Sequence, residues 1–179
     1  MGRYARGEVA AFELLYRRHE MRVWRYLERN VNNRATADKL MQEVWFAVAR
    51  EAPRYRPTAR FTTWLFTIAH HRLIDLIRTS RRQVSLDTLG YEAPLVVEQL
   101  TTDPSATPLA AAVAQDQMSA VVRALASLPS EQREAFLLQL EGDLGVEEIA
   151  AVTDSSFETT KSRLRYARTK LRELLKEYA

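Results

Sequence analysis

The chain of 179 residues contains no cysteine and few residues that interrupt helices, with five glycines and six prolines. The lack of cysteine excludes disulfide bonds and thiolate metal sites, and it fits a reducing compartment. No apolar run reaches the roughly 18 residues that a membrane span requires, and the first residues do not resemble a secretory signal. We therefore expect a cytoplasmic protein that is not inserted in a membrane.

The sequence also lacks the patterns of an enzyme or a metal protein. Adjacent histidines on a helix point about 100° apart, so His70 and His71 cannot share one ion well. No nucleophile–base pair and no glycine-rich phosphate loop is present. We expect no catalytic residue, no metal and no cofactor.

Positive charge is concentrated in two segments of the chain, although the net charge is only +3. Residues 54–82 hold seven arginines against Asp75 alone, whereas residues 83–118 hold five acids and no base. From Lys161 to Arg172, six basic residues occur without an acid. Two basic segments separated by an acidic one indicate two surfaces that face DNA.

Scarce glycine and proline, abundant helix formers and apolar residues at helical spacing predict an all-α protein. Helices are expected at residues 8–29, 36–51, 60–80, 116–127, 130–141, 146–152 and 156–177. Residues 84–115 have no sustained period, and a connection this long is more common between domains than within one. The prediction is two small helical domains, 1–83 and 116–179, joined by a flexible acidic linker over 84–115.

The last fifty residues have the form of a helix-turn-helix. A short helix near Val146 is followed by a turn, Asp154–Ser156, and by a basic helix. Aspartate tolerates a left-handed backbone, and a serine can cap the next helix. The last helix of such a motif lies in the major groove of DNA.

The basic segment before the predicted linker mixes cations with aromatic rings. This combination suits single-stranded or opened DNA, because cations follow the backbone and rings stack on unpaired bases. Phe61 and Trp64 also lie on the apolar stripe of the predicted helix, so a core role is the simpler interpretation for both. The loop 53–60 holds three arginines and one tyrosine, a density that solubility does not require.

Four blocks, at residues 11–19, 37–45, 61–75 and 128–171, resemble in this order the extracytoplasmic-function group of bacterial sigma factors. The resemblance covers nearly the whole chain. It implies a two-domain helical protein that binds core RNA polymerase, opens the −10 promoter element, reads the −35 element and catalyses nothing itself. It also implies an anti-sigma protein as a further partner.

The resemblance implies three groups of site residues. Core-polymerase binding is expected at Asp38, Leu40, Met41, Gln42, Glu43 and Trp45. Contacts to −10 DNA are expected at Tyr55, Arg56, Arg60, Thr63, Trp64, Thr67, His70, His71 and Arg72. Contacts to −35 DNA are expected at Ser156, Glu158, Thr159, Lys161, Ser162, Arg163 and Arg165.

Within the core-binding group, Leu40 and Met41 lie on the apolar stripe and are expected to be buried. Gln42, Glu43 and Trp45 are interpreted as lying off it. In the −10 group, a flipped base is expected in the loop between Pro53 and Thr62, because reading a base edge requires removing the base from its stack.

Thr36 is a candidate phosphorylation site. Arg34 and Lys39 make the start of the predicted core-binding helix less acidic than the family pattern. A phosphate on Thr36 would add negative charge where the helix dipole favours it. The simpler interpretation is that Thr36 only caps the helix.

Two alternatives belong to other functional classes. One is a transcriptional regulator that dimerises through its N-terminal helices and binds DNA through its C-terminal ones. Such a protein has no use for an arginine and aromatic loop before a tryptophan-bearing helix. The other is a nucleic-acid enzyme that uses His70, His71 and Asp75, which a nuclease assay on variants would test.

Overall fold

A computed structural model describes residues 1–84 and 108–178, which form helices and no strand. The α-helices are α1 Gly2–Ala5, α2 Val9–Val31, α3 Arg34–Glu51, α4 Phe61–Val84, α5 Pro108–Ala126, α6 Ser130–Gly142, α7 Val146–Val152 and α8 Phe157–Leu174. Single 3-10 turns follow α3 and α8. The all-α prediction is confirmed, and only the four-residue α1 was missed, because it is too short to show a period.

The break between α2 and α3 depends on two asparagines. Asn32 adopts the left-handed conformation with φ 51°, which asparagine tolerates better than most residues. The Asn33 side chain then accepts a 2.9 Å hydrogen bond from the Thr36 amide and caps α3. The expectation that Thr36 is the cap is therefore wrong. Thr36 lies at the third helical position, where its amide needs the cap.

Helices α1–α4, within residues 1–84, form the N-terminal domain, whose core includes Trp45. The Trp45 indole is 5% exposed and packs against Phe12 and Tyr16, at centroid distances of 5.7 and 4.9 Å. The interpretation that Trp45 lies off the apolar stripe is wrong, because Trp45 follows Met41 by four residues and shares its buried helical face. Leu40 and Met41 are buried, as expected.

Helices α5–α8, within residues 108–178, form the C-terminal domain. Helix α5 begins at Pro108, where the first turn tolerates proline. The last eight residues of the predicted linker are therefore helical. The alanine-rich stretch 110–114 favours a helix but shows no apolar stripe. The sequence pattern therefore did not predict that α5 begins at Pro108. Residues 85–107 of the predicted linker lie outside the described residues.

The helix-turn-helix turn has the predicted chemistry. Asp154 adopts φ 48°, and the Ser156 hydroxyl accepts a 3.1 Å hydrogen bond from the Thr159 amide. Helix α7 begins differently, since the Glu148 carboxylate turns back to accept from the Gly145 amide at 2.9 Å. These caps satisfy amide donors at the starts of α7 and α8.

The two domains pack directly against each other through α2 and α4 on one side and α6 and α7 on the other. Their buried apolar residues form one continuous cluster. Tyr26 and Phe66 are fully buried within it, with ring centroids 5.4 Å apart. A Cβ on Gly142 would lie 3.5 Å from the Phe66 ring. That distance is an ordinary contact, whereas the same Cβ would lie only 2.9 Å from the Leu144 side chain, so the glycine makes room for Leu144.

Candidate nucleic-acid and polymerase interfaces

Helix α8 presents most of the predicted −35 contacts to solvent. Ser156, Glu158, Thr159, Lys161 and Arg165 are exposed, whereas Ser162 and Arg163 are half-buried. Arg163 lines a groove of about 990 Å³ between the two domains, together with Asp154, His71 and Arg72. The exposed side of α8 is thus free to meet a duplex, and Arg163 lies at the edge of that side.

The predicted core-binding residues of α3 separate into buried and accessible ones. Leu40, Met41 and Trp45 belong to the core, Glu43 is half-buried, and Asp38 and Gln42 are exposed. The Asp38 carboxylate accepts a 2.7 Å hydrogen bond from the Trp24 indole, which orients it along α3.

Sequence reasoning missed Phe46, which is 75% exposed one turn after Gln42. It borders an apolar hollow of about 340 Å³ that Tyr4, Phe12 and Met41 also line. The sequence could have indicated Phe46, because a large apolar residue off the helical stripe is exposed to solvent unless a partner covers it.

The loop before α4 packs its aromatic rings together. The Tyr55 ring lies 4.9 Å from that of Trp64 and 6.3 Å from that of Phe61. All three are half-buried, so the core interpretation of Phe61 and Trp64 is supported. Arg56 remains exposed beside this cluster.

Along α4, the predicted −10 residues differ in accessibility. Thr63 and His70 are buried, at 8% and 9% exposure, while Thr67 and Arg72 are half-buried and His71 is exposed. The Thr67 hydroxyl donates to the Thr63 carbonyl at 2.8 Å, which occupies its proton within the helix.

Acidic residues of the C-terminal domain cover three of the predicted −10 residues. The Arg60 guanidinium donates to the Asp143 carboxylate at 3.0 Å and lies 3.4 Å from Glu148. The Thr63 hydroxyl donates to the other oxygen of Glu148. His70 Nδ1 lies 2.6 Å from a Glu134 oxygen. These contacts join residues that are more than sixty positions apart in sequence.

Contacts between the two domains change the pKa values of Glu148 and Tyr26. Burial opposes ionisation of Glu148, but hydrogen bonds from Thr63, the Gly145 amide and Arg60 outweigh it and lower its pKa. Burial, the negative charge of Glu134 and the hydrogen bond to it raise the pKa of Tyr26 well above its usual value. Glu148 is therefore a stable anion at neutral pH, and Tyr26 is a stable donor.

A buried ion cluster lies beside these contacts. The Glu141 side chain is 5% exposed and accepts from Arg25 at 3.0 Å and from Arg29 at 2.8 Å. One signal for this pairing was present in the sequence. Residues 131–148 hold six acids and one base, the reverse of the arginine-rich stretch 54–82.

The described ranges contain no group of three or more metal-ligating side chains arranged to hold an ion. The His70 and His71 rings are 5.7 Å apart and inclined by 52°. In the same ranges no helix is long and apolar enough to cross a membrane.

The candidate −10 residues of α4 come first along the chain and the helix-turn-helix comes second, and this order is that of one class of protein. Residues 15–83 match Sigma-70 region 2, and residues 118–171 match Sigma-70, region 4. The first match contains the acid-covered residues of α4, and the second contains the helix-turn-helix.

Two curated relatives specify the group within that class. The chain is 34% identical over 180 residues to the RNA polymerase sigma factor CarQ of Myxococcus xanthus, covering 99% of this chain and 96% of CarQ. It is 32% identical over 169 residues to the ECF RNA polymerase sigma factor RpoE of Cereibacter sphaeroides, covering 93% and 87% of the two chains. The chain belongs to the extracytoplasmic-function group of sigma-70 factors, which bind core RNA polymerase and direct initiation at specific promoters.

Two solved structures have the same fold. The sigma factor RpoE in complex with the anti-sigma factor NepR, from Bartonella quintana, matches with a TM-score of 0.76 at 23% identity, covering 94% of this chain and 98% of that one. CnrH in complex with the cytosolic domain of CnrY matches with a TM-score of 0.64 at 21% identity, covering 98% and 94%.

Proposed function

We propose that this sigma factor binds core RNA polymerase through the accessible side of α3. The supporting observation is the exposed row formed by Asp38, Gln42 and Phe46, with half-buried Glu43 beside it. Two acids and an amide give directional polar contacts, and Phe46 gives an apolar anchor next to a hollow. Leu40, Met41 and Trp45 act indirectly, since they hold α3 against the rest of the domain.

The −35 element is read by the exposed side of α8, through side chains between Ser156 and Arg165. Ser156 caps the helix, so α8 meets DNA with its N-terminal turn well ordered. The −10 element is opened and held by Arg56, Arg60 and the α4 residues from Thr63 to Arg72. The proposed division of the chain is residues 1–84 for core and −10 binding and residues 108–178 for the −35 element, with a linker between them.

The protein acts in the cytoplasm without catalytic activity or cofactor of its own, because the polymerase performs the chemistry. An anti-sigma protein is its proposed regulator. The structure of the sigma factor RpoE in complex with the anti-sigma factor NepR supports this, since that sigma factor has the same fold.

Transcription by purified core polymerase tests the proposal. Adding the chain should produce initiation at a small set of positions in a genomic DNA library, and those positions should share −10 and −35 sequences. Sequencing the 5′ ends of the transcripts would identify them. Unchanged transcripts with and without the chain would contradict the proposal.

A charge reversal on α3 tests the core-binding surface. Glu43→Lys should weaken binding to core polymerase while leaving the helical circular-dichroism signal intact. Glu173→Lys is the matched control, since Glu173 is exposed on the C-terminal domain, far along the chain from α3. If both variants bind core polymerase with equal affinity, α3 is not part of the interface.

A further inference from the structure

An aromatic side chain is exposed at the start of the helix that is proposed to read the −35 element. Phe157 is the first residue of α8 and is 42% exposed. The −35 contacts expected from the sequence include Ser156 and Glu158 on either side of it, but not Phe157 itself. Leu164 is buried, so Phe157 is the one exposed apolar residue of the stretch 156–165, all of which the structure describes.

The packing of the C-terminal domain does not require an aromatic ring at this position. Phe157 lies outside the buried apolar cluster of the described residues. The usual apolar contact at a helix start joins the residue before the cap to the fourth helical residue, and here these are Ser155 and Thr160. Their hydroxyl groups are instead joined by a 2.7 Å hydrogen bond. The Phe157 ring is therefore not needed to hold the start of α8 and is available to a partner.

Two contacts hold Phe157 in place at the leading end of α8. The Ser156 hydroxyl accepts from the Thr159 amide at 3.1 Å and so orders the backbone on which Phe157 begins the helix. The Lys161 ammonium lies 5.9 Å from the centre of the Phe157 ring, one helical turn further along. Residues four apart lie on the same side of a helix, so the ring and the ammonium face the same partner.

We propose that Phe157 reads a thymine of the −35 element through the C5 methyl group of that base. This proposal rests on the proposed role of α8 in −35 binding. The N-terminal residues of a recognition helix contact base edges in the major groove, where the methyl group distinguishes thymine from the other bases. Phenylalanine is among the residues that make this apolar contact. Phe157 thus adds recognition by apolar contact to the hydrogen bonds that the polar side chains of α8 can form.

Removing single methyl groups from the DNA tests this contact. Deoxyuridine lacks only the C5 methyl group of thymidine and pairs with adenine in the same way. The probe is a −35 duplex from a promoter that the holoenzyme uses, with each thymine of both strands replaced in turn by deoxyuridine. For the unmodified chain, at least one replacement should weaken holoenzyme binding about fourfold, because burying one methyl group contributes about 0.8 kcal/mol.

Variants at position 157 identify the residue that is responsible. In Phe157→Ser the sensitive replacement should no longer change the affinity, whereas in Phe157→Leu, which keeps an apolar side chain, the loss should persist. Leu174→Ala is the matched control, because Leu174 is 41% exposed at the other end of α8, and it should retain the full fourfold loss. Each result is a ratio of two DNA affinities for one protein, so a change in the stability of a variant does not obscure it.

Two results would overturn the role of Phe157. A fourfold loss that persists in Phe157→Ser would assign the methyl contact to another residue, such as the exposed Thr159, whose side chain also carries a methyl group. Equal binding of every deoxyuridine duplex by the unmodified chain would show that no thymine methyl group is read. Neither result would contradict −35 recognition by α8. Failure of the holoenzyme to bind the unsubstituted duplex would instead contradict the proposed function.

Discussion

The Tyr26 hydroxyl donates a 2.8 Å hydrogen bond to Glu134 across 108 positions of sequence. The same Glu134 oxygen lies 2.6 Å from His70 Nδ1. One carboxylate therefore joins α2, α4 and α6 at the boundary of the two domains. Because Tyr26 is fully buried, this contact is an internal hydrogen bond and not a surface one.

Tyr26→Phe should weaken the boundary while preserving the packing of the ring on Phe66. We expect the free energy of unfolding to fall by about 1 kcal/mol, since a partner of Glu134 is lost. Urea unfolding followed by circular dichroism measures it. In a double-mutant cycle with Glu134→Gln, the two effects should not add. Strict additivity would indicate that the hydrogen bond contributes nothing.

Arg163→Ala should relax sequence preference at the −35 element, whereas Arg172→Ala should not. A bidentate arginine–guanine contact contributes about 1–3 kcal/mol of discrimination. A phosphate contact instead changes the salt slope by about one unit. The measurement is holoenzyme binding to duplexes with single −35 substitutions, at several salt concentrations. Equal losses by both variants on all sequences would contradict this division of α8.

Arg56→Ala should reduce holoenzyme binding to a single-stranded −10 oligonucleotide and leave duplex −35 binding unchanged. Arg56 suits this test better than Arg60. Replacing Arg60 would remove a proposed DNA contact and would also break its contacts with Asp143 and Glu148, so the two effects could not be separated. Arg17→Ala, which removes an exposed arginine paired with Glu13, is the control. Equal loss on both probes would indicate a non-specific charge effect.

Stability should depend on pH through His19, which is 7% exposed. Burial, followed by the charges of Arg22 and Arg18, lowers the pKa of His19 below its ordinary value of 6.5. The unfolded chain then binds the proton more readily, so stability is full above pH 6.5 and falls as the pH drops through the lowered pKa.

Urea midpoints at pH 7.5 and 5.5 should therefore differ, and His19→Phe should reduce the difference (both pH values lie about one unit from the usual histidine pKa). Phenylalanine keeps a ring near Phe61, whose centroid lies 5.3 Å from that of His19. His71→Phe is the control, because His71 is exposed. An unchanged difference in His19→Phe would refute the role of His19.

Phosphorylation of Thr36 should strengthen core binding if added charge at the start of α3 matters. Because Asn33 is the cap, the third helical position of Thr36 lets a glutamate or a glutamine form a capping box. Thr36→Glu compared with Thr36→Gln therefore isolates the charge. Tighter core binding by Thr36→Glu supports the switch, and equal binding excludes it.

Sequence periodicity was sufficient for most helices, because α2, α3, α4 and α8 each bury one stripe. The turn at Asp154 and Ser156 was also predictable, because backbone tolerance and capping are local properties. Spacing also places Trp45 on the buried face, four residues after Met41, so that wrong prediction was a misassigned stripe and not a limit of the pattern. The partners of Arg60 and His70 were not predictable either. Their acids lie more than sixty positions away, and only the contrast in segment charge indicated them.

The contacts of Glu148 limit how freely the two domains can be exchanged between sigma factors. One oxygen caps α7 through the Gly145 amide, and the other accepts from Thr63 of the first domain. A chimera that joins residues 1–84 to the second half of another sigma factor would preserve each fold but mismatch this shared carboxylate. Promoter specificities recombined in this way should come with altered basal activity, because Thr63, a proposed −10 contact, also matches one half to the other.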